Sequence, residues 1–370
     1  MESDQDAVRS TEARRLSLLA ELGAPRKSVV ISYLTSTRPG SRARVDDDDI
    51  QVIERHVRAA RDSGARNIDL FILTYGGDAV APWGLIAMLR EYFKTGNVRV
   101  IVPWAAFSAG ASISLGADEI VMGPGSMLGP SDTQYGTRED YWGPVVSASD
   151  LQAFFDLAAE RGPSGGHAKA RMMDWLTSRT DVQILGAMYR AGRENYRKII
   201  NILESRHPPL TRSQNEQIAR FMLYGIGNHG QAIRRTELRK NGVRYITNAE
   251  DTGLEAEITE LFEHYAAIMK LNTPFVRPMR PPGLAGDEID FDVNGVHYSA
   301  TPIAIVESEF DTNLAYVAYG FRHWNEVPSV PAVDPRKPKV EPEPSASRTL
   351  WMSVRAQARS ASLVKIRARN

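Results

Sequence analysis

The sequence predicts an α/β fold followed by a small C-terminal β element and a disordered tail, and three observations lead there. Between Ser28 and Pro130, short β-branched runs alternate with helix-period stretches, as in a layered α/β domain. From Ala148 to Met269 the apolar residues recur mainly at helical spacing. Beyond about residue 273, proline-rich stretches flank an alternating β pattern.

The elements follow in order. Residues 1–23 carry acids and bases throughout and read as a short amphipathic helix, without the basic-then-apolar order of an export signal. Ser28 to Leu34 is the first strand. Asp46 to Asp49 precede Ile50, Ile53, Val57 and Ala60, which share one helix face, so the acids are expected as a solvated start at the helix's positive end. A metal cluster is the sharper alternative, but adjacent acids point in different directions. Asn67 to Thr74 is a strand running into Gly76-Gly77, and Pro82 to Phe93 a helix. Val98 to Pro103 is a third strand, followed by Trp104 to Gly110 and a small-residue helix to Leu115. Glu119 to Met122 is a fourth strand, and Gly123 to Pro130 a turn-rich loop.

Helices are then expected over Ala148 to Ala159, Val182 to Leu203, Ser213 to Tyr224, Thr236 to Lys240 with Gly242 as its stop, and Leu254 to Met269, with a flexible loop at Gly162 to Gly166. Ile289 to Tyr316 alternates like a β element around an Asn294-Gly295 hairpin signal. Pro328 to Pro344 is a stiff linker. The expected divisions are a helix over 1–27, a catalytic domain over 28–272, a β appendage over 273–327, and a disordered linker and tail over 328–370.

The chain has 370 residues with 45 Lys+Arg, 45 Asp+Glu and no Cys. Without cysteine there is no disulfide scaffold, thiolate nucleophile or Cys-ligated metal, so a covalent hydrolase built on this chain needs an oxygen nucleophile. Zero net charge argues against a protein that coats nucleic acid with its whole surface. The acid-free end Arg348 to Asn370, with Arg348, Arg355, Arg359, Lys365, Arg367 and Arg369, is where an anionic partner could bind. Its plainer reading is a solvated tail that docks Leu350, Trp351 and Val354 on the body. No stretch approaches the ~20 apolar residues of a membrane span. A cytoplasmic protein without cofactor or metal is expected.

Two turns could carry chemistry. Gly76-Gly77 directly follows a strand, and glycines there let backbone N–H groups face an oxyanion or phosphate. Alone, the pair is an ordinary strand-to-helix turn. Ser108 follows a strand and opens a helix, where free N–H groups favour developing negative charge. Alone, it is a helix N-cap. Consecutive strands tend to be neighbours, which would bring a hydroxyl nucleophile beside a backbone anion site.

The run Ile68 to Asp78, Val100 to Pro103 with Phe107-Ser108-Ala109-Gly110, Ala117 to Gly123, and Leu128-Gly129-Pro130-Ser131-Asp132 resembles the serine dehydrogenase proteinase family, of the Clp protease, signal peptide peptidase A and crotonase-like group. The resemblance covers Ser28 to Asp132 and, more loosely, the region through Asn228-His229-Gly230 and Leu238 to Ile246. It implies a Clp/crotonase-like spiral of ββα units, serine peptidase activity on a peptide or protein substrate, and homo-oligomers that enclose the sites. Ser108 matches the nucleophile, and Gly76, Gly77 and Ala109 match the turns that supply oxyanion-hole N–H groups. The usual proline before the glycine pair is Tyr75 here, which would alter substrate access. Where Clp-type proteases carry their catalytic histidine this chain has Asp132, so a Clp-like triad is not supported at that position.

The general base is therefore open. Lys169 follows the Gly162 to Gly166 loop, in the region where signal-peptide-peptidase-like relatives carry their lysine, and burial could lower its pKa towards neutrality. Its basic neighbours Arg161 and Arg171 fit a surface lysine instead. His229 matches a histidine-containing family motif, and His167 is a third candidate. Trp104 and Phe107 would form an apolar wall for a substrate side chain or pack in the core, and Trp83, Tyr92 and Phe93 are assigned to core or subunit contacts. The leading reading is a serine peptidase. A non-proteolytic acyl-transfer or thioester enzyme on the same fold, and a catalytically weak assembly or binding protein, are the alternatives.

Overall fold

The computed structural model describes residues 2–39, 41, 43–132, 134–135, 146–147, 153–157, 160, 166–179, 181–274, 289–293, 296–321 and 348–353. Helix α1 (Glu2–Gly23) leads into strand β1 (Ser28–Thr35), helix α2 (Asp47–Asp62), strand β2 (Asn67–Leu73) and helix α3 (Ala81–Tyr92). Strands β3 (Val98–Val102) and β4 (Ala105–Ala106) precede the short helix α4 (Ala109–Leu115), which is one ββα unit. Strands β5 (Glu119–Met122) and β6 (Met127–Leu128) come next, then the two-residue pair β7 (Gln134–Tyr135) and β8 (Val146–Ser147).

The main sheet has the order β10-β5-β3-β2-β1-β12-β13-β14, where β10 is Ile246–Asn248, β12 Val296–Glu307, β13 Thr312–Phe321 and β14 Arg348–Ser353. From β10 to β1 the strands are parallel. These strands are apolar on both faces because helices cover both. Val29, Ile31 and Tyr33 of β1, with Ile68, Leu70 and Ile72 of β2, face one core with α2, α3 and α4. Val30 and Leu34, with Phe71 and Leu73, face the other, under α1 and helix α9 (Glu255–Ile268).

Between these parts of the sheet the chain is helical: α5 (Gly166–Arg179), α6 (Val182–Glu204), α7 (Arg212–Tyr224), the short strand β9 (Ile233–Arg234) and α8 (Arg235–Lys240). Strand β9 joins β4 and β6 in a second, three-stranded sheet. Helix α5 was not expected from the sequence. The helix expected over Ala148 to Ala159 is described only at 153–157, and most of the Gly162 to Gly166 loop lies outside the described residues, as does most of the Pro274 to Pro282 connection.

Three expectations change in detail. Asp46 caps α2 and Asp49 closes a capping box with it, but Asp49 is buried rather than solvated. The C-terminal hairpin of β11 (Ile289–Val293) and β12 pairs Val293 with Val296, as a two-residue turn requires, and β12 also pairs antiparallel with β1, continuing the main sheet. Within the expected tail, Arg348–Ser353 pairs with β13, matching Trp351 to Ala315. The other tail residues lie outside the described residues, and so does Val354. No helix among the described residues is long and apolar enough to cross a membrane.

Candidate active site

The two turns singled out in the sequence are stitched together. Thr74, at the end of β2, accepts from the Phe107 N–H at 3.0 Å and donates its own N–H to the Ala105 carbonyl at 3.0 Å. The Thr74 hydroxyl in turn accepts from the Gly76 N–H at 3.0 Å. Ser108 therefore stands directly over the glycine pair.

Gly76 has φ +106°, and a Cβ there would lie 2.6 Å from the Ser108 Cβ. Both facts require glycine. At Gly77 a Cβ would lie 2.1 Å from the Val45 carbonyl oxygen, because Val45 runs alongside as a parallel bridge. Val45 donates to the Gly76 carbonyl and accepts from the Asp78 N–H, each at 2.9 Å. In such a bridge the intervening residue turns its own N–H to the opposite side. The Gly77 N–H, like that of Ala109 at the first turn of α4, has no hydrogen-bond acceptor among the described residues. Both residues line a cavity of about 440 Å³.

Ser108 occupies the N-cap position of α4 but makes no capping hydrogen bond with its side chain. The plain N-cap role thus does not account for it. Its backbone is at φ 50°, ψ −112°, a region that costs a non-glycine residue on the order of 1–3 kcal/mol. Tight strand-to-helix turns that present a nucleophile have this character.

The same cavity is lined by Asp132 and His229. His229 lies between α7 and β9, Asp132 after β6, and the imidazole Nδ1 is hydrogen-bonded to the Asp132 Oδ1. A carboxylate accepts, so in the neutral imidazole this contact selects the tautomer with the proton on Nδ1 and the lone pair on Nε2. Asp132 is the residue that sequence reasoning left without a role. The signal was its place, at the position where Clp-type proteases carry their histidine.

Lys169 lies on α5, its side chain outside the described residues, and His167 on the same helix is exposed. His167 does not line the cavity. Trp104 and Phe107 do not line it either; Tyr75 does, 52% exposed, with its ring 5.6 Å from that of Phe107. Phe93 is buried in the core, and Trp83 and Tyr92 pack partly buried against it.

Sequence comparison bears on this geometry. Residues 5–141 match the family of ClpP-like SDH-type serine proteinases. The match includes Ser108, the glycine turn and Asp132, and ends before His229. Two uncharacterized proteins of Methanocaldococcus jannaschii are similar to the chain. One is 33% identical over 139 residues, 36% of this chain and 47% of the relative; the other is 25% identical over 198 residues, 54% and 56%. The chain thus spans about half the length of the curated relatives it matches. Among solved structures, a serine-to-alanine mutant of the 1510-N membrane-bound stomatin-specific protease superposes with a TM-score of 0.39 at 15% identity, covering 62% of this chain and 84% of that one. A monofunctional enoyl CoA isomerase from M. smegmatis does so with a TM-score of 0.32 at 10% identity, covering 67% and 90%. At such scores the strand order given above, not the superposition, describes the fold.

Proposed function

We propose that the chain is a serine peptidase in which Ser108 is the nucleophile, His229 the general base and Asp132 the group that orients it. The observation that carries this reading is a single cavity lined by the strained Ser108, the Asp132–His229 pair and the glycine turn. The Ser108 hydroxyl attacks the peptide carbonyl while the His229 Nε2 takes its proton. The oxyanion is received by the Gly77 and Ala109 N–H groups, with Gly76 giving the turn its shape. Collapse of the tetrahedral species breaks the C–N bond, the imidazolium gives its proton to the leaving amine, and water then hydrolyses the acyl-enzyme by the same path. A peptide or protein substrate, homo-oligomers enclosing the cavity and a cytoplasmic location belong to the same proposal. The family match supports the peptidase class, and Tyr75 at the cavity mouth is the expected determinant of access.

The test is labelling of the folded protein with a fluorophosphonate, followed by ester and peptide hydrolysis. Modification at Ser108 that is lost in Ser108→Ala and strongly slowed in His229→Ala, with Lys169→Ala unimpaired, is the expected result. An unlabelled Ser108 removes the serine-hydrolase reading. Activity lost in Lys169→Ala and kept in His229→Ala transfers the base to the lysine.

A further inference from the structure

Asn195 sits where its helix needs an apolar residue. The buried positions of α6 are Met188, Asn195, Ile199, Ile202 and Leu203, one stripe turned towards the core. A carboxamide in such a stripe destabilises the fold unless it is hydrogen-bonded. Asn195 is 6% exposed, and its Nδ2 donates to the Ser131 carbonyl at 2.6 Å. That acceptor also fixes which end of the amide faces it.

Ser131 immediately precedes Asp132, and residues 129–132 belong to no helix or strand. The position of the Asp132 carboxylate therefore depends on the tethers of its neighbour. The Ser131 N–H donates to the Met222 carbonyl of α7 at 2.9 Å, its carbonyl accepts from Asn195, and its Oγ lies 3.5 Å from the Ser108 carbonyl oxygen. One tether comes from α7, the helix that leads to His229, one from α6, and one from the serine turn.

We propose that Asn195 is a positioning residue for the Asp132–His229 pair, acting through the backbone of Ser131. This rests on the serine peptidase reading. The Asn195 amide fixes the peptide on which the Asp132 side chain is mounted, and Asp132 in turn sets the tautomer and direction of the imidazole. The amide thus adds a side-chain tether to a segment that lies outside any helix or strand and is otherwise held by the Gly129 N–H on the Ala106 carbonyl and the Ser131 N–H on the Met222 carbonyl.

The test uses Asn195→Leu, which restores an apolar stripe of similar volume, and Asn195→Ala as a second variant should leucine fail to fit. Ester hydrolysis, thermal unfolding and the downfield proton resonance of the His229 Nδ1–H are followed in the full chain. The expected result is a kcat about 100-fold lower with KM little changed, as for a catalytic group displaced by roughly 1 Å. The thermal midpoint of the leucine variant should hold or rise, and the downfield resonance should be lost or shifted. Wild-type kcat with an unmoved resonance in a folded variant overturns the proposal. So does a fall in kcat that only parallels a fall in stability while the resonance stays. A wild-type protein that fluorophosphonate does not label at Ser108 overturns the peptidase reading itself; a labelled wild type with unaffected variants overturns this inference alone.

Discussion

His229 is hydrogen-bonded through Nδ1 to Asp132, a residue 97 positions earlier in the chain. Both side chains are largely shielded from solvent, so the pairing is not a solvated surface contact. If the carboxylate holds the imidazole in the tautomer that can accept the Ser108 proton, Asp132→Asn should lower kcat by about 10³–10⁴-fold while leaving KM within a few-fold. Steady-state hydrolysis of an activated ester checks this. A loss confined to KM would assign Asp132 to substrate binding.

The glycine turn makes a second prediction. Gly76→Ala sets a Cβ 2.6 Å from the Ser108 Cβ at a positive φ, and Gly77→Ala sets one 2.1 Å from the Val45 carbonyl oxygen. On the proposed mechanism either shift disturbs the oxyanion donors beside Ser108, so activity should fall by about 10²–10³-fold. Gly77→Ala should also cost about 1–3 kcal/mol of stability, since backbone must move to admit the methyl. Gly186→Ala on α6 is the control: a Cβ there meets nothing within 4 Å, and stability should rise by roughly 0.5–1 kcal/mol. Urea unfolding with parallel activity assays separates these outcomes.

These residues differ in how far local sequence reveals them. Strands β1 and β2 were legible because burial on both faces leaves a predominantly apolar run, broken only by the buried Ser32 and Asp69, and the Gly76-Gly77 and Ser108 turns were legible because each follows a β-rich stretch. Helix α5 was not, because Leu176 is the one buried side chain among those described along it, so no apolar stripe betrays its period. Strands β4, β6 and β9 contain two residues each, too few for any alternation. The Asp132–His229 pairing and the pairing of β12 with β1 join distant segments, and no local pattern encodes either. Nothing in the local sequence distinguishes Asn195 from the other polar residues of its helix, and only the tertiary packing shows its position to be internal.

Buried Asp49 predicts a pH dependence of stability. It accepts from the Tyr33 hydroxyl at 2.5 Å and the Asp46 N–H at 3.0 Å, yet burial pushes its carboxyl up from 3.8 to about 6. The folded state then holds this proton more tightly than the unfolded chain. The stabilisation is fully present below about pH 4 and is lost as pH rises through 6, with an upper bound of about 3 kcal/mol for this group. Asp49→Asn keeps an acceptor for both donors without the charge. Its stability should lack that decline between pH 4 and 7, and at pH 7.5 it should match or exceed the wild type. Thermal unfolding across this range is the check, and a wild-type slope retained in the variant rules out Asp49 as its source.

Glu307, at the end of β12, is the fully buried hub that ties the C-terminal strands to the helices. It accepts from the Arg15 Nε and Nη2 at 2.9 Å each, from the Tyr265 hydroxyl at 2.7 Å and from the Thr312 hydroxyl at 2.7 Å. Those partners come from α1, α9 and β13, and Glu307 itself is in register with Ser32 of β1. Burial, reinforced by the facing carboxylate, pushes the Tyr265 phenol well up, so it remains a donor throughout the working range. Removing the acid strands a guanidinium in the interior, which is more damaging than the pair's net contribution, and Glu307→Leu should cost about 3–5 kcal/mol. Adding Arg15→Met removes the stranded charge and should recover part of that loss, so the double variant should be more stable than Glu307→Leu alone. Urea unfolding of the two single variants and the double decides it. Strictly additive losses would mean that the ion pair is not coupled and that the hub acts only through its neutral hydrogen bonds.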